Sequence, residues 1–159
     1  MEMSISEKLT YSTVLIKCKY EDGTSGSGTG FIVNLCNDKE KLICVPVVIT
    51  NYHVIQNSIE TRFEFCMADE DGGPIDKKCF NILYPGNAWI HHPDESVDLC
   101  CLLLADLLKG LEKKSIKVFY IPLTTNLIPS QTDIDNYSAM EDVVMIGYPI
   151  GISDLYNHK

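Results

Sequence analysis

Two side chains of this 159-residue sequence are placed for proton-transfer chemistry, His53 and Asp98. His53 follows an apolar run, in Ile49-Thr50-Asn51-Tyr52-His53-Val54-Ile55. Asp98 opens another, in Val97-Asp98-Leu99-Cys100-Cys101-Leu102-Leu103-Leu104. An imidazole with a pKa near ~7 is suited to take a proton from a hydroxyl nucleophile. A carboxylate held against its other ring nitrogen fixes the tautomer and stabilises the imidazolium. The residues alone also admit plainer readings. A lone histidine in apolar surroundings is usually a core residue with both nitrogens satisfied, and an aspartate here can simply begin a strand and cap a turn.

Other groups are weaker candidates. Gly26-Ser27-Gly28-Thr29-Gly30 is glycine-rich, but a phosphate-cradling loop ends in Gly-Lys-Ser/Thr and a dinucleotide fingerprint has Gly where Phe31 stands. It is expected to be a hairpin turn that needs small residues close to another backbone. Ser25, in Gly23-Thr24-Ser25-Gly26, is expected to be a solvated turn residue. His91-His92 with Asp94 lacks a further ligand at metal-binding spacing, so no metal is expected. Cys100 and Cys101 are adjacent and must point to opposite faces of a strand, inside an apolar run that raises a thiol pKa.

The elements that must position these residues are mostly strands. Thr13 to Tyr20 alternates, with Val14, Ile16, Cys18 and Tyr20 on one face. Phe31 to Cys36 and Leu42 to Thr50 follow, the latter apolar enough to be buried on both faces and interrupted by Pro46, which predicts a bulge or an edge. Thr61 to Met67, Cys79 to Tyr84, Val97 to Leu104 and Val143 to Ile146 complete the strand set. Helical signals are confined to a turn at Val54 to Ser58 and a short helix over Ala105 to Lys114. Residues 122–142 read as a long irregular connection. Many short strands joined by turns predict an all-β barrel or sandwich.

Composition removes several function classes. Net charge is −9 and Arg62 is the sole arginine, with the lysines scattered, so a nucleic-acid partner is not expected. No apolar run approaches the roughly 18 residues that cross a bilayer, so no membrane partner is expected either. Met1 to Thr10 lacks the basic and apolar regions of a signal peptide, so either the setting is cytoplasmic or a leader has been removed. The seven cysteines form no Cys-x-x-Cys pair and are expected to be reduced core residues.

In order along the chain stand Gly26-Ser27-Gly28-Thr29-Gly30-Phe31, Thr50-Asn51-Tyr52-His53-Val54, Asp98-Leu99-Cys100-Cys101-Leu102 and Gly147-Tyr148-Pro149-Ile150-Gly151. This ordered set resembles the trypsin-like serine peptidases, especially the bacterial HtrA-type branch. The resemblance covers about Thr13 to Gly151, and the His-to-Asp interval of 98 − 53 = 45 residues suits it. It implies a trypsin-like antiparallel β-barrel in a truncated double-barrel fold. About residues 11–120 would form the first barrel, and 121–159 the connection and opening strand of the second.

The resemblance also implies roles: His53 as general base, Asp98 as the acid that orients it, no cofactor, and a peptide or protein substrate. Tyr52 departs from the small residue common at that place and would narrow the cleft or face solvent. The family's Gly-x-Ser-Gly nucleophile follows the Gly-x-Pro-x-Gly strand, and Ser153, in Gly151-Ile152-Ser153-Asp154, does not fit it. The nucleophile is therefore expected outside this chain, which alone should be inactive. Its natural partner would be the missing second barrel, or a second copy through an exposed apolar face. A non-catalytic β-barrel binding module, or a domain of an intracellular sensor or effector, is the alternative.

Overall fold

The alternation in Thr-Val-Leu-Ile-Lys-Cys-Lys-Tyr makes strand β1 (Thr13–Tyr20), with Val14, Ile16 and Cys18 buried on one side. The chain then reverses on an Asx-type turn: Asp22 Oδ1 accepts from Thr24 N–H (2.9 Å) and Thr24 Oγ1 (2.6 Å), and Gly23 takes φ +81°. The computed structural model describes residues 3–36, 44–140 and 142–148. After the turn come β2 (Ser25–Cys36), β3 (Cys44–Thr50), β4 (Ser58–Ala68), β5 (Pro74–Pro85), β6 (Ile90–His91), β7 (Cys100–Leu103), β8 (Val118–Phe119) and β9 (Leu123–Thr124). Four short helices are interspersed: α1 (Ile5–Thr10), α2 (Tyr52–Ile55), α3 (Ala105–Lys113) and α4 (Gln131–Asp135).

The structure is mostly antiparallel β-sheet, ordered β5-β4-β1-β2-β3-β7-β6, with β8 added to β4 and β9 lying parallel to β2. Strands far apart in that order bury side chains in one cluster. Ile82 of β5, Phe63 and Phe65 of β4, Ile16 of β1, Val48 of β3 and Leu102 of β7 all belong to it. Trp89 closes it between β5 and β6, and its indole N–H donates to the buried Thr61 Oγ1 at 3.0 Å, so neither polar atom is stranded.

The interior strand β3 is covered on both faces at its middle, since the consecutive Val47 and Val48 are both fully buried. Pro46 sits where an edge was expected. The ladder from β3 to β7 begins only at Val47, and Pro46 offers its carbonyl to Leu104 N–H at 2.9 Å.

Four expectations are corrected. First, Gly26 to Gly30 is strand, not turn, because β2 starts at Ser25; Ser25 itself is exposed, as expected. Second, Val143 to Ile146 is not a strand. Its β-branched residues find no ladder, and Val143, Val144 and Met145 stand about nine-tenths exposed. Third, α1 and α4 were not foreseen, although each carries a capping box that is legible as Ser-x-x-Glu (Ser4, Glu7) and Ser-x-x-Asp (Ser130, Asp133). Fourth, Cys44 is disulfide-bonded, so the cysteines are not uniformly reduced. Cys44 faces Cys36 across the β2–β3 ladder, which is a placement that alternation alone does not reveal. Cys18, Cys66, Cys100 and Cys101 are free thiols. Among the described residues no helix is long and apolar enough to cross a membrane.

Candidate active site

Antiparallel pairing of β3 with β7 closes the interval between His53 and Asp98. The register ends at Thr50 opposite Cys100. The three residues after Thr50 therefore lie beside the two residues before Cys100. Thr50 is itself anchored, its buried hydroxyl donating to Thr29 O at 2.8 Å, which ties the end of β3 to β2.

Past Thr50 the chain turns into the single turn of α2. Asn51 occupies the N-cap position without capping the helix through its side chain. That side chain instead reaches across the gap, Nδ2 donating to Asp98 O at 2.9 Å, and Tyr52 N–H points to the same carbonyl at 3.4 Å. The unpaired N–H of the helix start is taken up by Asp98: His53 N–H donates to Asp98 Oδ1 at 2.9 Å. The same carboxylate meets the His53 ring, with Nδ1 2.6 Å from Oδ2. Asp98 thus grips one residue at two points, backbone and ring, and this fixes both the position and the plane of the imidazole.

The two bonds from His53, ring first and backbone second, hold the Asp98 carboxyl below its usual value, so it is ionised at neutral pH. An ionised acceptor at Nδ1 selects the tautomer with its proton on Nδ1 and leaves Nε2 with a free lone pair. Chemically, Nε2 can accept a proton from a hydroxyl brought to it while Asp98 stabilises the resulting cation. The His53 and Asp98 side chains are 68 % and 47 % exposed, so Nε2 is reachable.

A second layer holds α2 against the sheet. A Cβ at Gly28 would lie 2.5 Å from Val54 Cγ1, and one at Gly30 would lie 2.7 Å from Val48 Cγ1. The glycines at 26, 28 and 30 share one face of β2 at the strand period, and this face admits α2 and the core side chains. The close approach expected of this segment is present, but it is made by a strand. Gly147 rests on Thr29 in the same way, and Tyr148 N–H donates to Thr29 Oγ1 at 2.8 Å. Pro149, Gly151 and Ser153 lie outside the described residues.

Asn51 had no assigned role in the sequence, and Tyr52 was expected to narrow the cleft or face solvent. Asn51 is a positioning residue for the Asp98 turn. Tyr52 is half-buried: its ring packs on His91, with centroids 4.3 Å apart, at the margin of the core. The signal for both was the Thr-Asn-x-His string itself, which does not show what the middle residues touch. His92 turns inward to its own loop and accepts from Asp94 N–H at 3.1 Å. Among the described residues no cluster of three potential metal ligands exists. Cys100 is buried and bonds weakly to Thr50 O, and burial pushes its thiol up to about 12, while Cys101 is half-buried with its thiol raised by the same cause. No protein-family model, curated protein or solved structure matches this chain.

Proposed function

We propose that this chain carries the acid–base half of a trypsin-like serine endopeptidase built on a β-barrel. His53 is its general base, Asp98 the acid that orients it, and a peptide or protein its substrate. What supports the reading above all is the pair of hydrogen bonds between Asp98 and His53, 2.6 Å at the ring and 2.9 Å at the backbone, on a histidine side chain that is mostly exposed. A carboxylate that merely capped α2 would need only the backbone contact. The nucleophilic serine and the N–H groups that stabilise the oxyanion come, in this reading, from a second barrel outside the chain. The exposed apolar run Val143 to Met145 is then the strand that such a barrel would take up. The acyl-enzyme forms when the serine oxygen attacks the peptide carbonyl, its proton passing to His53 Nε2 and then to the leaving amine.

The test is to read the coding region beyond Lys159, express the complete product and treat it with a fluorophosphonate probe. A Gly-x-Ser-Gly serine should be labelled, and His53→Ala should abolish the labelling. A complete product that takes up no probe, or takes it up equally without His53, overturns the reading. The 159-residue chain alone should turn over no peptide.

A second reading rests on the openness of the pair. With His53 and Asp98 both widely exposed, the same scaffold can serve as a non-catalytic binding module. An unlabelled complete product that still captures a peptide ligand favours that reading.

A further inference from the structure

Hydrogen-bond parity across the sheet singles out Cys66 and Cys79. Tyr20 N–H bonds to Thr24 O at 3.0 Å, so the even-numbered residues of β1 bond to β2 and Lys17 bonds to β4. Arg62, opposite Lys17, therefore bonds to β1, and Thr61, Phe63 and Phe65 bond to β5. Cys66 bonds toward β8 on the other edge, where the next-but-one residue, Ala68, donates to Lys117 O at 2.9 Å. Opposite Cys79 it stands in a non-hydrogen-bonded pair, and the register irregularity comes only after it. In such a pair the Cα atoms lie about 4.5 Å apart, within the ~4.4–6.8 Å span of a disulfide.

Face and access agree. Phe63 and Phe65 point into the core, so Cys66 and its partner Cys79 point out. Both are half-buried and line a cavity of about 630 Å³, walled also by Glu7, Arg62 and Tyr148. Ile32 N–H bonds to Ser12 O, so by the same parity Cys44 faces Cys36 in a non-hydrogen-bonded pair, and Cys44 is disulfide-bonded.

We propose that Cys66 and Cys79 form a redox-active dithiol that closes to a cross-strand disulfide by exchange with a small disulfide of the glutathione class. One protein thiolate attacks a sulfur of the small disulfide, giving a mixed disulfide and releasing one small thiolate. The second protein thiolate attacks the protein sulfur of that bond and releases the other. Two protein thiols are oxidised and one small disulfide is reduced to two thiols, which take up the two protons. Burial raises both protein thiols above their ordinary value, which slows the exchange at neutral pH and makes a mildly alkaline buffer the right medium.

The experiment incubates the whole chain with oxidised glutathione, quenches with acid, digests without reductant and maps the peptides by mass spectrometry. The peptides of Cys66 and Cys79 should be recovered joined, and separated by dithiothreitol. The joined form should exceed glutathione adducts on either residue by about tenfold or more, because the second thiol sits at an effective concentration of at least mM order. Cys66→Ser should convert the signal to an adduct on Cys79, and Cys18→Ser should leave the joined form unchanged. Adducts that persist on Cys66 or Cys79 of the wild type without joining, or no modification of either, overturn the proposal.

Discussion

Asp98→Asn isolates what the carboxylate does to the His53 ring. The aspartate accepts two bonds from one residue, the backbone N–H at 2.9 Å and Nδ1 at 2.6 Å. Asparagine has the same shape. Its carbonyl can keep the backbone bond, but its NH₂ then faces Nδ1. Two donors cannot bond, so Nδ1 must become an acceptor and the proton must move to Nε2. One of the two bonds inverts and no cavity opens. The unfolding midpoint should therefore barely move, since both side chains are exposed and exposed pairs add little to stability. Nε2, now a donor, can no longer take a proton from a hydroxyl. In an assembled triad a wrong tautomer of this kind lowers kcat by about 10⁴-fold. Long-range ¹H–¹⁵N correlation on the neutral ring reads the tautomer directly: Nδ1–H in the wild type, Nε2–H in the variant. Peptide turnover by the complete product reads the rate. An unchanged tautomer, or a rate within about tenfold of wild type, would refute the reasoning.

Other perturbations follow from the same geometry. Gly28→Ala drives a Cβ into the stiff, β-branched Val54 and should cost about 1–3 kcal/mol in urea unfolding. Val54→Ala in the same chain should recover part of that loss, and additive losses would show that the two residues do not meet. Phe63→Ala empties a fully buried site and should cost about 3–5 kcal/mol, read from the same curves. The Asp98 carboxyl should titrate below the usual ~3.9 when followed by ¹³C chemical shift. Because its folded value is depressed, its contribution to stability is present above the unfolded value and fades as pH falls through the folded one. That contribution is small because the pair is exposed, so the acid-unfolding curve of Asp98→Asn should lie close to that of the wild type, and a large displacement would argue against an exposed pair. Cys100 should resist iodoacetamide at neutral pH in the folded chain and react in urea, because its raised thiol is buried there.

Periodicity made much of the sheet legible. Thr13–Tyr20 has its foreseen ends and its foreseen buried face, because one strand burying one face imposes strict alternation. The Phe63/Phe65 face of β4 and the helix over Ala105–Lys113 were readable for the same reason, as local pattern. Where the outcome depended on a neighbour, local pattern misled. Gly26 to Gly30 has the composition of a turn, yet it is strand because its missing side chains make room for Val54, Val48 and Tyr20. Val143 to Ile146 has the composition of a strand, yet no ladder reaches it among the described residues and Val143 to Met145 lie bare.

The site divides along the same line. Residue type and context were enough to mark His53 and Asp98 as candidates, since an imidazole follows one apolar run and a carboxylate opens another. Their meeting belongs to the tertiary structure. It depends on the Thr50–Cys100 register, and a shift of one residue would move Asp98 off the His53 ring. The same holds for the cysteines. The sequence shows how many there are and which are apolar-flanked, but only strand pairing sets Cys66 opposite Cys79 and Cys44 opposite Cys36. Composition and alternation are properties of one segment, whereas a histidine–carboxylate contact or a facing cysteine pair is a property of two segments held in register by hydrogen bonds that neither encodes alone.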